Sequence, residues 1–103
     1  MSSDPVVERV VKIIAEGIHP QKIILFGSRA AGNARPDSDL DLVVIYAGEK
    51  SKRQVKLDIR RLMEPGSLSL DLFVLSPEEM LRQRHVANTL AREVEERGVT
   101  VSG

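Results

Sequence analysis

The sequence predicts a small α/β domain of mixed α+β type, a mixed β-sheet of three to four strands flanked by helices. Three observations point there. Short runs rich in Val, Ile and Leu, at Lys22–Phe26, Leu40–Tyr46 and Leu68–Leu75, read as buried strands. Stretches with helical spacing of apolar residues lie around and between them. The link from the first run to the second is about a dozen residues and nearly free of helix, which suits antiparallel neighbours; the link from the second to the third holds a helix and is long enough for a parallel crossover. With 103 residues, a single domain over 1–103 is expected.

Each element has its own signal. Asp4 is a good N-cap and Pro5 suits the first helical position. Val6, Val10, Ile13, Ile14 and Ile18 then form an apolar stripe, with Gly17 and Pro20 marking the helix end. The first strand, KIILF, stops at Gly27. Ser28 to Asp37 is small and polar, with room for one helical turn at 28–31. The second strand, LDLVVIY, ends at Gly48. Ser51 and Gln54 have capping-box spacing, and Val55, Ile59, Leu62 and Met63 make 52–64 an amphipathic helix closed by Pro65-Gly66. The third strand, LSLDLFVL, leads into Ser76-Pro77-Glu78-Glu79, a second capping box. Met80, Leu81, Ala87, Leu90, Ala91 and Val94 supply the buried face of the last helical region, with a break near His85. Gly98 caps it, and Val99–Val101 is either an edge strand or a frayed end.

Composition removes several function classes. Fifteen basic residues balance fifteen acidic ones, so the basic footprint of a nucleic-acid binder is missing. The three aromatics, Phe26, Tyr46 and Phe73, all lie in apolar runs, and no base-stacking platform is expected. The absence of Cys excludes disulfide scaffolds and thiolate metal sites. No apolar run approaches the ~18 residues of a membrane span and no leader opens the chain, so a cytoplasmic protein is expected.

The polar residues of the strands stand at unusual places. Gly27-Ser28 follows the first strand, Asp39 and Asp41 open the second, and Asp71 lies near the start of the third. An antiparallel first pair and a parallel second pair collect all of them at one end of the sheet. Asp39 and Asp41 are two apart and share a strand face. Converging carboxylates without His or Cys favour a hard cation, Mg²⁺ or Mn²⁺, and Mg²⁺ commonly takes one or two carboxylates plus substrate phosphates. Two such ions can clamp the attacking and leaving oxygens of an in-line displacement. A Gly-Ser turn opposite suits phosphate, through its N–H groups and hydroxyl. Four residues at these fixed spacings recur by chance in about one chain of this length in a thousand. Two competing motifs fail. Gly27-x4-Gly32 lacks the Lys-Ser/Thr of a P-loop, because Asn33-Ala34 stands there. Asp37, Asp39 and Asp41 imitate a Ca²⁺ loop, but Leu42 replaces its Gly and Gly48 its terminal Glu.

The run GSRAAGNARPDSDLDLVV, Gly27–Val44, resembles the signature of minimal nucleotidyltransferases of the DNA polymerase beta superfamily. It keeps Gly27, Ser28, Arg29, Ala30, Gly32, Ala34, Ser38, Asp39, Asp41 and Leu42, and departs at Ala31, where many relatives carry Arg. The resemblance implies a polymerase-beta-like fold and transfer of a nucleoside monophosphate, AMP from ATP, to a hydroxyl. It further implies that Asp39, Asp41 and Asp71 hold two metal ions, Mg²⁺ or Mn²⁺, with Asp71 also helping to deprotonate the acceptor. Gly27 and Ser28 would hold the β- and γ-phosphates, and Arg29 would neutralise phosphate charge. The partner it implies is a helical HEPN-type protein, with this chain as antitoxin of a toxin–antitoxin pair. A homo-oligomer is compatible with it. The alternative is a non-catalytic antitoxin or nucleotide-binding module acting by contact alone. His19 and His85 are expected to have structural or solvent roles.

Overall fold

A computed structural model gives the structure of the chain, and it describes residues 5–27, 30, 39–63 and 69–102. The elements in order are α1 (Pro5–Ile18), β1 (Lys22–Phe26), β2 (Leu40–Ile45), α2 (Lys52–Leu62), β3 (Leu70–Leu75), α3 (Pro77–Gln83), α4 (Leu90–Arg97) and β4 (Val99–Ser102). The strands form one mixed sheet in the order β3-β2-β1-β4. β1 pairs antiparallel with β2 and with β4, and β2 pairs parallel with β3. The residues after α4 therefore form an edge strand, bulged between Ile23 and Ile24 of β1.

Strand alternation splits the core in two. Ile23, Leu25, Leu40, Leu42, Val44, Leu72 and Val74 face α1 and α2, where Val7, Val10, Val11, Ile14, Val55 and Ile59 meet them. Ile24, Phe26, Val43, Ile45 and Leu75 face the other way, onto Ala91 and Val94 of α4 and the flank of Met80 in α3. The two central strands are apolar on both faces because both faces are covered, and each fully buried Val, Leu or Ile contributes roughly 1.5–3 kcal/mol.

Several local expectations shift. The buried stripe of α1 is Val7, Val10, Val11 and Ile14, while Val6 is turned outward. Both sets have helical spacing, and the sheet decides between them. Gly17 lies inside α1, which ends instead at Ile18. His19 takes a φ of 56° and its N–H reaches the Ala15 carbonyl at 3.2 Å, a left-handed cap just before Pro20. Ser51 caps α2 by accepting the Gln54 N–H, but the Gln54 side chain donates to Asp58 at 2.7 Å instead of returning to the cap. The box at Ser76 is complete: Ser76 Oγ accepts the Glu79 N–H and Glu79 Oε1 accepts the Ser76 N–H, both at 3.1 Å. Lys52 Nζ also reaches Glu79 at 2.6 Å and ties α2 to α3. The break near His85 separates α3 from α4, but Leu81 and Ala87, expected inside, are exposed. The end of the second helix at Pro65-Gly66 lies outside the described residues. No described helix is long and apolar enough to cross a membrane.

The two layers predict opposite costs for two apolar truncations. Ile59→Ala empties a fully buried position and should destabilise by about 2–5 kcal/mol. Leu81→Ala, at an exposed position, should stay within about 0.5 kcal/mol. Urea unfolding of both variants checks the assignment of Leu81 to the surface.

Candidate active site

The acidic site follows from strand register. Asp41 of β2 pairs with Asp71 of β3, and on its other side with Phe26 of β1. Facing residues in neighbouring strands share a face. Asp41 and Asp71 therefore stand side by side on the face that α4 covers further along. Their carboxyls are close enough for Asp71 to favour the protonated form of Asp41. Asp39, exposed and one step before β2, lies within electrostatic reach of Asp41.

Asp41 carries the electrostatic strain. Its carboxyl is held above its ordinary value of 3.8, first by burial, then by the hydrogen bond and charge of Asp71, and then by the charges of Asp39 and Glu93. Burial comes from the apolar floor around it. Phe26 is buried, and its ring lies 5.7 Å from that of Phe73, tilted by 56°, although β2 runs between their strands. The aromatic pair thus spans β2 at the foot of the acids.

Gly27 closes the site from the β1 side. It has a φ of 76°, in the left-handed region that favours glycine. A Cβ there would collide with the Asp41 carboxylate. Glycine at this point lets the backbone leaving β1 lie directly against the acid. Ser28 and Arg29, the other expected phosphate contacts, lie outside the described residues. So does Ser38. Of the helical turn expected at 28–31, only Ala30 is described; it is helical and packs against the core.

The donor set suits a hard divalent cation, since carboxylate oxygens are its only ligands. Among the described residues no group of three or more His, Cys, Asp or Glu is placed to hold a metal ion by itself. The three acids are thus not a closed cage. Asp41 and Asp71 would supply the one or two carboxylates that Mg²⁺ commonly takes from a protein, its other ligands being water and substrate phosphate. The residues fit an ion shared with a nucleotide.

Two contributors escape a reading of the sequence. Glu93 sits on α4 and reaches Asp41 only through helix-on-sheet docking; its neighbours Ala91 and Val94 were the available signal. Phe73 stands in an apolar run of the sequence. It shares its face with Asp71 and is 37% exposed.

The raised Asp41 has a consequence for stability. The folded state holds this proton more tightly than the unfolded chain, so the stability it contributes is present at low pH. That stability is lost as the pH rises from 3.8 through the raised value. Asp41→Asn should remove the loss. The variant should melt at or above the parent temperature at neutral pH and decline less across that window. Thermal melts at stepped pH check this; a variant that melts lower at neutral pH would make Asp41 a structural residue.

Residues 8–99 match the family described as Polymerase beta, Nucleotidyltransferase. Two solved structures share the fold. One is a protein of Sulfolobus solfataricus described as a nucleotidyltransferase, 20% identical, with a TM-score of 0.60 over 92% of this chain and 75% of that one. The other is a toxin–antitoxin structure with AMP-PNP, 22% identical, with a TM-score of 0.63 over 93% of this chain and 72% of that one. No curated protein matches the chain. Because the family match runs through α1, the acidic strands and α4, the chain belongs to the polymerase beta nucleotidyltransferase family.

Proposed function

We propose that this chain is an Mg²⁺-dependent nucleotidyltransferase that moves AMP from ATP to a hydroxyl on a partner protein. The observation that carries the reading is the side-by-side placement of Asp41 and Asp71, with the Gly27 backbone against Asp41. Two like charges brought together and partly buried are costly unless a cation or a shared proton relieves them. A sheet end that keeps this cost in an otherwise well-packed domain is built for a positively charged guest.

In the proposed reaction the acceptor hydroxyl loses its proton and its oxygen bonds to the α-phosphorus. The bond from that phosphorus to the bridging oxygen breaks, and pyrophosphate leaves. Asp71, exposed at the sheet edge, takes part in removing the acceptor proton. Gly27 and Ser28 hold the β- and γ-phosphates, and Arg29 neutralises charge on them. Gly27 suits that role because no side chain separates its backbone from the site. Asp39, Asp41 and Asp71, together with the nucleotide phosphates, would hold the divalent ions, two Mg²⁺ or Mn²⁺. When bound, these ions supply charge neutralisation at the attacking and leaving oxygens.

The partner we propose is a helical HEPN-type toxin, with this chain as its antitoxin. The support is the likeness to a toxin–antitoxin structure with AMP-PNP, together with the resemblance of residues 27–44. Zero net charge speaks against nucleic acid as acceptor. A chain without Cys suits the reducing cytoplasm, where we place the reaction.

Mixing the chain with ATP, Mg²⁺ and the product of its neighbouring gene should add one or more AMP units to that product by intact mass. Asp71→Asn should abolish the gain. Suppressed toxicity without any mass change, equally strong in the Asp71→Asn variant, would favour an antitoxin that acts by contact alone.

A further inference from the structure

Single exposed apolar residues are ordinary on a protein surface and need no explanation. Phe73 differs by where it stands. Asp71, Phe73 and Leu75 alternate onto one face of β3. Leu75 is buried under the helical layer, whereas Phe73 is 37% exposed. One residue, Leu72, separates Phe73 from Asp71 along the strand, a distance of roughly 7 Å. One side of its ring is anchored by buried Phe26, with centroids 5.7 Å apart and a tilt of 56°, a favourable aromatic geometry.

The order of the strands gives this surface a direction. In the sheet β3-β2-β1-β4, Gly27 follows β1 on one side of Asp41, and Asp71 lies on β3 at the other. β3 is an edge strand. In-line displacement at phosphorus requires the attacking oxygen and the departing pyrophosphate to lie opposite each other. With the phosphate tail against Gly27, the attacking oxygen approaches across Asp71, from the β3 edge. Among the described residues, Phe73 is an exposed apolar group on that strand, on the face of Asp71.

We propose that Phe73 is the acceptor-side contact of the site, selecting a hydroxyl carried on, or held beside, an aromatic or flat apolar group. This assignment rests on the nucleotidyl-transfer reading above. Asp71 faces the hydroxyl, and the Phe73 ring packs against the group that bears it. The same ring keeps water from the β3 side, where water would otherwise compete as acceptor. Phe73 is a specificity residue and takes no part in proton transfer.

The chain has only two phenylalanines, so fluorophenylalanine labelling yields two resonances, assigned with Phe73→Leu. The labelled protein is titrated first with Mg²⁺ and AMP-PNP, then with N-acetyltyrosinamide or N-acetylserinamide. The nucleotide should leave the Phe73 resonance nearly in place. The tyrosine compound should then move it and bind about three- to tenfold more tightly than the serine compound, the range of one aromatic contact. In Phe73→Ala that preference should vanish. A Phe73 resonance that shifts fully with AMP-PNP alone would assign the ring to the donor base and overturn the proposal. Nucleotide binding with a Phe73 resonance silent to both compounds would overturn it as well, leaving the transfer reading intact. Failure of Mg²⁺ and AMP-PNP to bind at all would remove both.

Discussion

The parallel pairing of β2 with β3 is the constraint on which the rest of the structure depends. It places Leu40 beside Leu70, Asp41 beside Asp71 and Leu42 beside Leu72 in unbroken register. Leu40, Leu42 and Val44 on β2, with Leu72 and Val74 on β3, lock that register through their burial against α1 and α2. A slip of one residue would turn this apolar set to the opposite face and drive the acids into the core. The large apolar core thus enforces a small electrostatic cost at the sheet end, where Asp41 and Asp71 meet.

The surroundings deepen that cost. Buried Phe26 is the β1 register partner of Asp41, and the charges of Asp39 and Glu93 add to that of Asp71. Nothing in packing calls for acids here, since an apolar residue at position 41 would join Phe26 and Val43 in a continuous surface. Gly27 completes the arrangement: the backbone turns at a φ open to glycine and lies where any side chain would strike Asp41. A half-buried carboxylate thus lies beside a bare backbone, with a second carboxylate at the open edge. The polymerase-beta-like nucleotidyltransferase fold supplies this arrangement within a sheet of four strands.

Much of this was legible in the sequence because the signals were local. The run Lys22–Phe26 is β1 without change, and the complete box at Ser76 needs only Ser, Pro and Glu at fixed spacing. The short first link and the long second one suffice to bring Gly27, Asp41 and Asp71 to one end. What escaped depends on contacts between elements. Val6 and Val7 belong to overlapping helical stripes, and only docking on the sheet selects Val7. Gln54 had a competing partner one turn on, Asp58. Leu81 and Phe73 are apolar residues in apolar stretches, and their exposure reflects where helical cover ends. Glu93 is surface-like in sequence and gains meaning only from the helix that carries it past Asp41.

The central claim is that the paired acids are relieved by a cation held jointly with a nucleotide. Thermal melting of the chain with ATP alone, with Mg²⁺ alone and with both tests it most directly. Two carboxylates are too few for a dedicated Mg²⁺ site, and a triphosphate without its ion meets two negative charges. The account predicts little shift from either component and a clear rise in melting temperature from the two together. Equal stabilisation by ATP in the presence of a chelator would contradict it.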